Sequence, residues 1–273
     1  YGVANPWTDV WNFFLKTEIP NACLPIGAIP TIAASGSEMS GSCVITNEDG
    51  WLKRGSTRSD LCRPKFTLMN PRLTYTLPEY QTESGCVDIL LHTMERYFVN
   101  IETMEITDSI SESLMQTVIY NARILLNEPG NYNARAEIMW AGSLSHNGLT
   151  GCGTGGGDWA CHQLEHELGG LYDVTHGAGL AALWGSWARY VYDANPERFA
   201  QFATNIFDIP CYADYENTAL AGIEAMEDFF RSIHMPTNLH ELGLDLTDEQ
   251  IHELAFKCSF EAVSYTHLRA HET

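Results

Sequence analysis

Three histidines fall within fifteen residues in the run D-W-A-C-H-Q-L-E-H-E-L-G-G-L-Y-D-V-T-H-G, from Asp158 to Gly177. His162 and His166 are four apart, which on a helix puts them on one face. The Gly169-Gly170 pair that follows offers a turn to bring His176 back beside them. A second fragment, Asp88-Ile-Leu-Leu-His92, repeats the four-residue spacing with a carboxylate and an imidazole. Two helices presenting these groups to each other can enclose one divalent cation, and imidazole with carboxylate suits Fe(II), Zn(II), Co(II) or Ni(II). The expected ligands are Asp88, His92, His162 and His176, with His166 near but off the metal and a position left for a substrate oxygen. Taken singly, the same residues allow a plainer account. One His on a half-apolar helix is more often a satisfied core residue, and one Asp-x3-His is ordinary helix pairing. A zinc-protease reading fails, because His166-Glu167 starts like H-E-x-x-H but position 170 is Gly.

The pattern around these residues divides the chain in two. Trp7 to Lys16 reads as a helix, and short apolar runs follow: Cys23 to Ile32, Cys43 to Thr46, Trp51 to Arg54 and Phe66 to Met69, with a hairpin-type turn at Asn47-Glu-Asp-Gly50. Short strands with an early helix predict an α/β lobe over residues 1–77. From Pro78, which suits the first turn of a helix, apolar residues repeat at helical spacing: Val87, Leu90, Leu91, Met94 and Phe98. Further helices are predicted at about 102–126, 134–147, 158–171, 177–193, 196–206, 217–233 and 247–262, so residues 78–263 form an all-helical lobe that carries the metal ligands. Residues 264–273 drop the helical pattern and read as a non-native tail, and the start at Tyr1 without a methionine reads as a fragment.

Length and charge restrict what this chain can do. At 273 residues it exceeds one typical domain. Fifteen basic against thirty-five acidic residues give a formal charge of −20, which argues against binding nucleic acid or an anionic membrane by bulk attraction. It leaves room for an anionic cofactor held by a local Lys and helix N-termini. No apolar run reaches the roughly 18 residues of a membrane span, and nothing reads as a signal peptide. The eight cysteines form no C-x-x-C pair and read as reduced thiols of a cytoplasmic protein.

Three more features bear on binding. Gly151-Cys-Gly153-Thr-Gly155-Gly-Gly157 matches G-x-G-x-x-G in form, but it follows a predicted helix where the dinucleotide fingerprint follows a strand. The better reading is a flexible or tight entry into the histidine-bearing helix. Pro30-Thr-Ile-Ala-Ala-Ser-Gly-Ser-Glu-Met-Ser40 follows a predicted strand, and its small residues let backbone N–H groups approach a phosphate or a ring; a plain polar loop has the same composition. Lys53 is placed to reach a phosphate or ribose, with an exposed, solvated lysine as the alternative. Trp159 and Phe98 are candidates for the wall of an apolar substrate slot, though either suits a core.

The segments I-P-T-I-A-A-S-G-S-E-M-S (29–40), L-T-Y-T-L-P (73–78), G-C-V-D-I-L-L-H-T-M-E (85–95) and G-D-W-A-C-H-Q-L-E-H-E-L (157–168), with T-H-G (175–177), resemble the iron-containing alcohol dehydrogenases, in their butanol dehydrogenase branch. The resemblance runs from Tyr1 to about Val263. It implies a partial Rossmann-like N-terminal domain followed by a helical metal-binding domain, the dehydroquinate synthase-like fold, with the site in the cleft between. It implies metal ligands at Asp88, His92, His162 and His176, and His166 beside the nicotinamide as a proton relay. It puts the cofactor against Pro30, Thr31, Ile32, Ala33, Ala34, Ser40, Lys53, Leu73, Thr74, Tyr75, Thr76 and Leu77. The implied cofactors are Fe(II), or Zn(II), and NAD(P)H. The implied partners are a small alcohol or aldehyde and a second copy of the chain in a homodimer, with no nucleic acid and no membrane. The family's G-G-G-S pyrophosphate loop and first strand would precede Tyr1, and its last helices would follow Val263. Two other readings keep the same ligands: a zinc polyol dehydrogenase, and a helical metal protein without nicotinamide chemistry.

Overall fold

The computed structural model describes residues 1–101, 104–211 and 214–259. Asp9 caps a short helix, α1 (Val10–Phe14), by accepting from the Trp11 N–H. The helix is shorter than the expected Trp7 to Lys16, and Lys16, in the left-handed region at φ 60°, turns the chain away just after it. Four short strands follow, β1 (Gly27–Ala28), β2 (Ser42–Asn47), β3 (Leu52–Thr57) and β4 (Phe66–Thr67), with the one-turn helix α2 (Ser59–Cys62) between the last two. β2 and β3 form an antiparallel hairpin, and β1 pairs in parallel with β4. The hairpin turns where the sequence says it should: Asn47 Oδ1 accepts from the Asp49 N–H, and Gly50 takes φ 84°. The strand expected over 23–32 shrinks to two residues, because Pro25 and Pro30 have no N–H to give a ladder. Ile29, Phe66 and Leu68 stand exposed beside this pair.

Helices then take over: α3 (Glu79–Tyr97), α4 (Glu105–Asn127), α5 (Tyr132–His146), α6 (Ala160–Tyr172), α7 (His176–Val191), α8 (Pro196–Phe207), α9 (Tyr215–Ser232) and α10 (Asp248–Cys258). Their starts follow local chemistry. Asn131, Asn195 and Asp214 accept N–H bonds at the starts of α5, α8 and α9, and Thr247 with Gln250 makes a capping box for α10. The ends of two expected helices, at Glu102 and beyond Ser259, lie outside the described residues, as does the 264–273 tail.

The core is built around α3, whose residues from Thr82 to Leu91 are all buried. It packs against α4, α5 and α7. At its end Phe98 stacks on Phe199 with ring centroids 4.2 Å apart, and Phe202, Trp184 and Phe230 continue the aromatic layer. Phe98 is fully buried there, within this aromatic layer. Arg198 fastens the same end, donating to the Tyr97 carbonyl and to both oxygens of Asp108. Two close approaches on α3 depend on glycine: a Cβ on Gly177 would lie 1.9 Å from the Ser84 carbonyl oxygen, and one on Gly85 2.3 Å from that of Ala33. No helix among the described residues is long and apolar enough to cross a membrane.

One buried residue on α3 makes stability depend on pH. Glu83 is 1% exposed, and neither of its carboxylate oxygens is bonded. Burial, helped by Glu79 and partly opposed by Arg135, pushes its carboxyl up from 4.5 to about 8. The folded state then holds a proton that the unfolded state has lost. Stability therefore falls as pH rises from the unfolded value toward about 8, and levels off above it. The steepest slope from this group is about 1.4 kcal/mol per pH unit. Glu83→Gln keeps the shape without the charge, so its Tm should match the parent near pH 5 and exceed it by several degrees at pH 8, read by thermal unfolding with circular dichroism.

Candidate metal centre

The four expected ligands come from three helices, and the backbone explains how they meet. Asp88 and His92 are one turn apart on α3. His162 lies in the first turn of α6, where Glu95 of α3 accepts from the Cys161 and His162 N–H groups at 2.8 and 3.2 Å. His176 is the first residue of α7, and Gly177 beside it lets α7 come up against Ser84. The turn that returns His176 is not made by the glycine pair, as expected, but by Asp173, in the left-handed region at φ 53°. Gly169 and Gly170 lie inside α6, where the hairpin leaves no room for side chains: a Cβ would meet Lys53 Nζ at 2.7 Å or the Trp51 carbonyl oxygen at 2.7 Å.

Three imidazoles converge on one carboxylate oxygen. Asp88 Oδ1 lies 3.5 Å from His92 Nε2, 3.7 Å from His162 Nε2 and 3.6 Å from His176 Nε2. Donors about 2.1 Å from a common tetrahedral centre are about 3.4 Å apart, so each distance to Asp88 is of the size a shared cation sets, and ligand atoms of Asp88, His162 and His176 lie within 4.8 Å of one another. Asp88 Oδ1 and His162 Nε2 are buried with no hydrogen-bond partner, a costly arrangement unless something else satisfies them. Two of the rings are aimed from behind: His162 Nδ1 contacts Glu95 and His176 Nδ1 contacts Glu165. A carboxylate behind each ring fixes Nδ1 as the protonated nitrogen and turns the Nε2 lone pair inward. Glu165 is held in turn by Lys53, whose ammonium donates to its two oxygens at 3.1 and 3.4 Å.

Taken by themselves, these groups favour a charged Asp88 and a protonated His162, whose Nε2 proton a bound cation would displace. Burial works against the Asp88 charge, but His162, His176 and His146 more than offset it and hold the carboxyl down at about 2. Burial also disfavours charge on His162, yet Glu95 and Asp88 on either side push it up to about 9. Burial, then His146 and His162, drives His92 well below its ordinary value. His166 stands off the cluster, its ring centroid 5.9 Å from that of His176. Burial, reinforced by His176 and Lys53, pushes it down to about 2.

The remaining expected residues sit around this cluster. Pro30 is buried, Thr31 and Ile32 are exposed, and Ala33 and Ala34 run against α3 and α5 at Gly85 and Gly142. Ser40 Oγ accepts from the Ser42 N–H. Leu73, Tyr75 and Thr76 are exposed, and Thr74 and Leu77 share one small cavity with Ala33. Lys53 is on the ligand side, paired with Glu165. Trp159 meets the His92 and His162 rings edge-on, each at 5.3 Å. The glycine run at 151–157 is an irregular loop between α5 and α6, as its place after a helix implied. Sequence reasoning missed three residues of the site: Glu95, Glu165 and His146. Glu95 continues the face of Asp88 and His92, and Glu165 follows His162 by three, so helical spacing could have found both. His146, at the end of α5, lies against His92 with ring centroids 3.7 Å apart and the planes tilted by 43°, and had no sequence partner to mark it.

Comparison with known proteins identifies the family and the fold. Residues 2–71 match the sequence profile described as iron-containing alcohol dehydrogenase, and residues 82–272 match the Fe-containing alcohol dehydrogenase family, C-terminal. A probable NADH-dependent butanol dehydrogenase of Bacillus subtilis is 37% identical over 250 residues, covering 91% of this chain and 64% of that protein. An NADPH-dependent aldehyde reductase of Escherichia coli is 35% identical over 244 residues, covering 87% of this chain and 61% of the relative. The crystal structure of NADH-dependent butanol dehydrogenase A from Thermotoga maritima superposes with a TM-score of 0.88 at 35% identity, over 93% of this chain and 62% of that one. The chain thus spans somewhat over 60% of the length of these relatives. Its fold is theirs: a partial Rossmann-like portion followed by a helical one. With one profile on each side of Pro78 and the fold shared at this identity, the chain belongs to the iron-containing alcohol dehydrogenase family.

Proposed function

We propose that the protein is a metal-dependent alcohol dehydrogenase and aldehyde reductase, moving hydride between NAD(P)H and a small alcohol or aldehyde such as butanol or butanal. The observation that carries this reading is the convergence of three imidazole nitrogens, at 3.5–3.7 Å, on one buried oxygen of Asp88. Support also comes from relatives named butanol dehydrogenase and aldehyde reductase. Asp88, His92, His162 and His176 would hold Fe(II), or Zn(II) in its place. Pro30–Ala34, Ser40, Lys53 and Leu73–Leu77 would face the dinucleotide. When bound, the cation supplies Lewis acidity to the substrate oxygen and the nicotinamide supplies the hydride.

The chain's own groups orient and protect the reacting atoms. Glu95 and Glu165 keep the His162 and His176 rings turned inward, and Lys53 balances the buried Glu165 charge. Trp159 closes the side next to His92 and His162 and keeps water off it. His166, beside His176, would relay the proton that an alcohol gives when oxidised and return it in reduction. In this reading residues 1–77 belong to the dinucleotide-binding domain and 78–263 to the metal-binding one. The enzyme works as a cytoplasmic homodimer.

Two measurements test this on a chain extended to its relatives' length. In a nicotinamide-absorbance assay of butanal reduction, Asp88→Ala and His176→Ala should each lower kcat/KM about a thousandfold, since the bound cation is worth several kcal/mol of charge stabilisation; parent-like activity in either variant defeats the scheme. Glu95→Gln should weaken Zn(II) binding about 10–100-fold in chelator competition, while unchanged affinity would make Glu95 a purely structural cap of α6.

A further inference from the structure

Trp159 is large, half-buried and set against two of the ligands, and it is held there from three directions. Its ring meets those of His92 and His162 edge to face, with centroids 5.3 Å apart in both cases. Its Nε1–H donates to the Gly156 carbonyl at 2.7 Å. The Arg96 guanidinium lies 4.7 Å from the ring centroid, a cation–π contact. Arg96 is itself fixed. Its Nη1 donates to the carbonyls of His92 and Ser145, each at 2.6 Å, and its stem runs so near Gly151 that a Cβ there would lie 2.9 Å from Arg96 Cδ. The backbone leading into Trp159 is tied down as well. The Asp158 N–H donates to the Glu95 carbonyl at 2.8 Å, and a Cβ on Gly157, at φ 86°, would lie 2.5 Å from that same oxygen. α3 thus positions the indole through Glu95 and Arg96, the same helix that carries Asp88 and His92. The indole covers the less exposed side of the cluster: the His162 side chain is 7% exposed and that of His176 31%. A molecule that approaches Asp88 from the His176 side therefore has a rigid aromatic wall ahead of it.

We propose that Trp159 determines specificity by limiting the bulk that a carbonyl compound can carry next to its reacting carbon, and that Arg96 is the positioning residue that holds it in place. The substrates this favours are unbranched aliphatic aldehydes and primary alcohols; a ring or a branch beside the carbonyl runs into the indole. The inference rests on the reading of the protein as an alcohol dehydrogenase and aldehyde reductase.

The test measures kcat/KM for butanal and for benzaldehyde on the chain extended to its relatives' length, and takes the ratio of the two. The ratio is internal to each protein, so it is insensitive to how much of a variant is active. Trp159→Ala should raise the benzaldehyde-to-butanal ratio about tenfold or more, and Trp159→Phe should raise it less, in the same direction. Arg96→Met should raise the ratio in the parent and leave it unchanged in the Trp159→Ala background, because a residue that acts through the indole has no effect once the indole is gone. An unchanged ratio in both Trp159 variants overturns the proposal, and Trp159→Phe decides it if Trp159→Ala does not fold. An equal effect of Arg96→Met in the two backgrounds overturns the role given to Arg96. A parent that reduces neither aldehyde defeats the dehydrogenase reading itself, and this inference with it.

Discussion

Asp88 is a carboxylate in the interior of the helical lobe, and the surrounding packing follows from keeping it there. An ionised carboxylate out of water needs compensation, and here it faces three inward-turned imidazoles with more carboxylates behind two of them. Each helix that brings an imidazole is also tied to α3 by its backbone. α6 begins on Glu95, which accepts two of its first N–H groups where a helix N-terminus favours an anion. α7 begins at His176 and is drawn against α3 at a point where only Gly177 fits. Glu95 therefore has two jobs, capping α6 and turning His162, and these join the position of a helix to the aim of a ligand.

Charge balance leads to the same place. Asp88, Glu95 and Glu165 are all buried around this cluster, and of the three Lys53 is paired with Glu165. The cluster holds more acceptor capacity than the nearby cations satisfy, and the unpartnered atoms, Asp88 Oδ1 together with Nε2 of His162 and His146, belong to residues gathered around the Asp88 side chain. Carboxylates and imidazoles turned inward form a cavity suited to a positive ion, which would take the place of the proton on His162.

Much of this was legible in the sequence, and the parts that were not have physical causes. The helices of residues 78–263 announced themselves because 3.6-residue periodicity is local and needs no partner. The strands did not, because a strand exists only once another pairs with it; Cys23 to Ile32 looked like one long strand and formed a two-residue pair between prolines. Asp88 with His92, and His162 four before His166, were readable as helix faces. The Gly169-Gly170 pair looked like a turn because glycine usually marks one, but here its lack of a side chain serves close packing against the hairpin. His146 was invisible because no spacing rule connects α5 to α3; only tertiary packing puts its ring on His92.

That same packing makes the hairpin part of the metal centre. Two consecutive residues of β3, Lys53 and Arg54, pair with Glu165 and Glu167 of α6 at 3.1 and 2.6 Å. Because side chains alternate along a strand, adjacent residues normally point to opposite faces. Here both reach α6, because the helix lies close under the strand, with Gly170 against the Trp51 carbonyl. Glu165 is also the group behind His176, so a displacement of the hairpin would pull on Lys53, then Glu165, then a ligand. The segment that carries Lys53 belongs to the α/β part of the chain and the ligand to the helical part. A chain of two contacts, Lys53 to Glu165 and Glu165 to His176, thus joins the α/β part of the chain to the helical part.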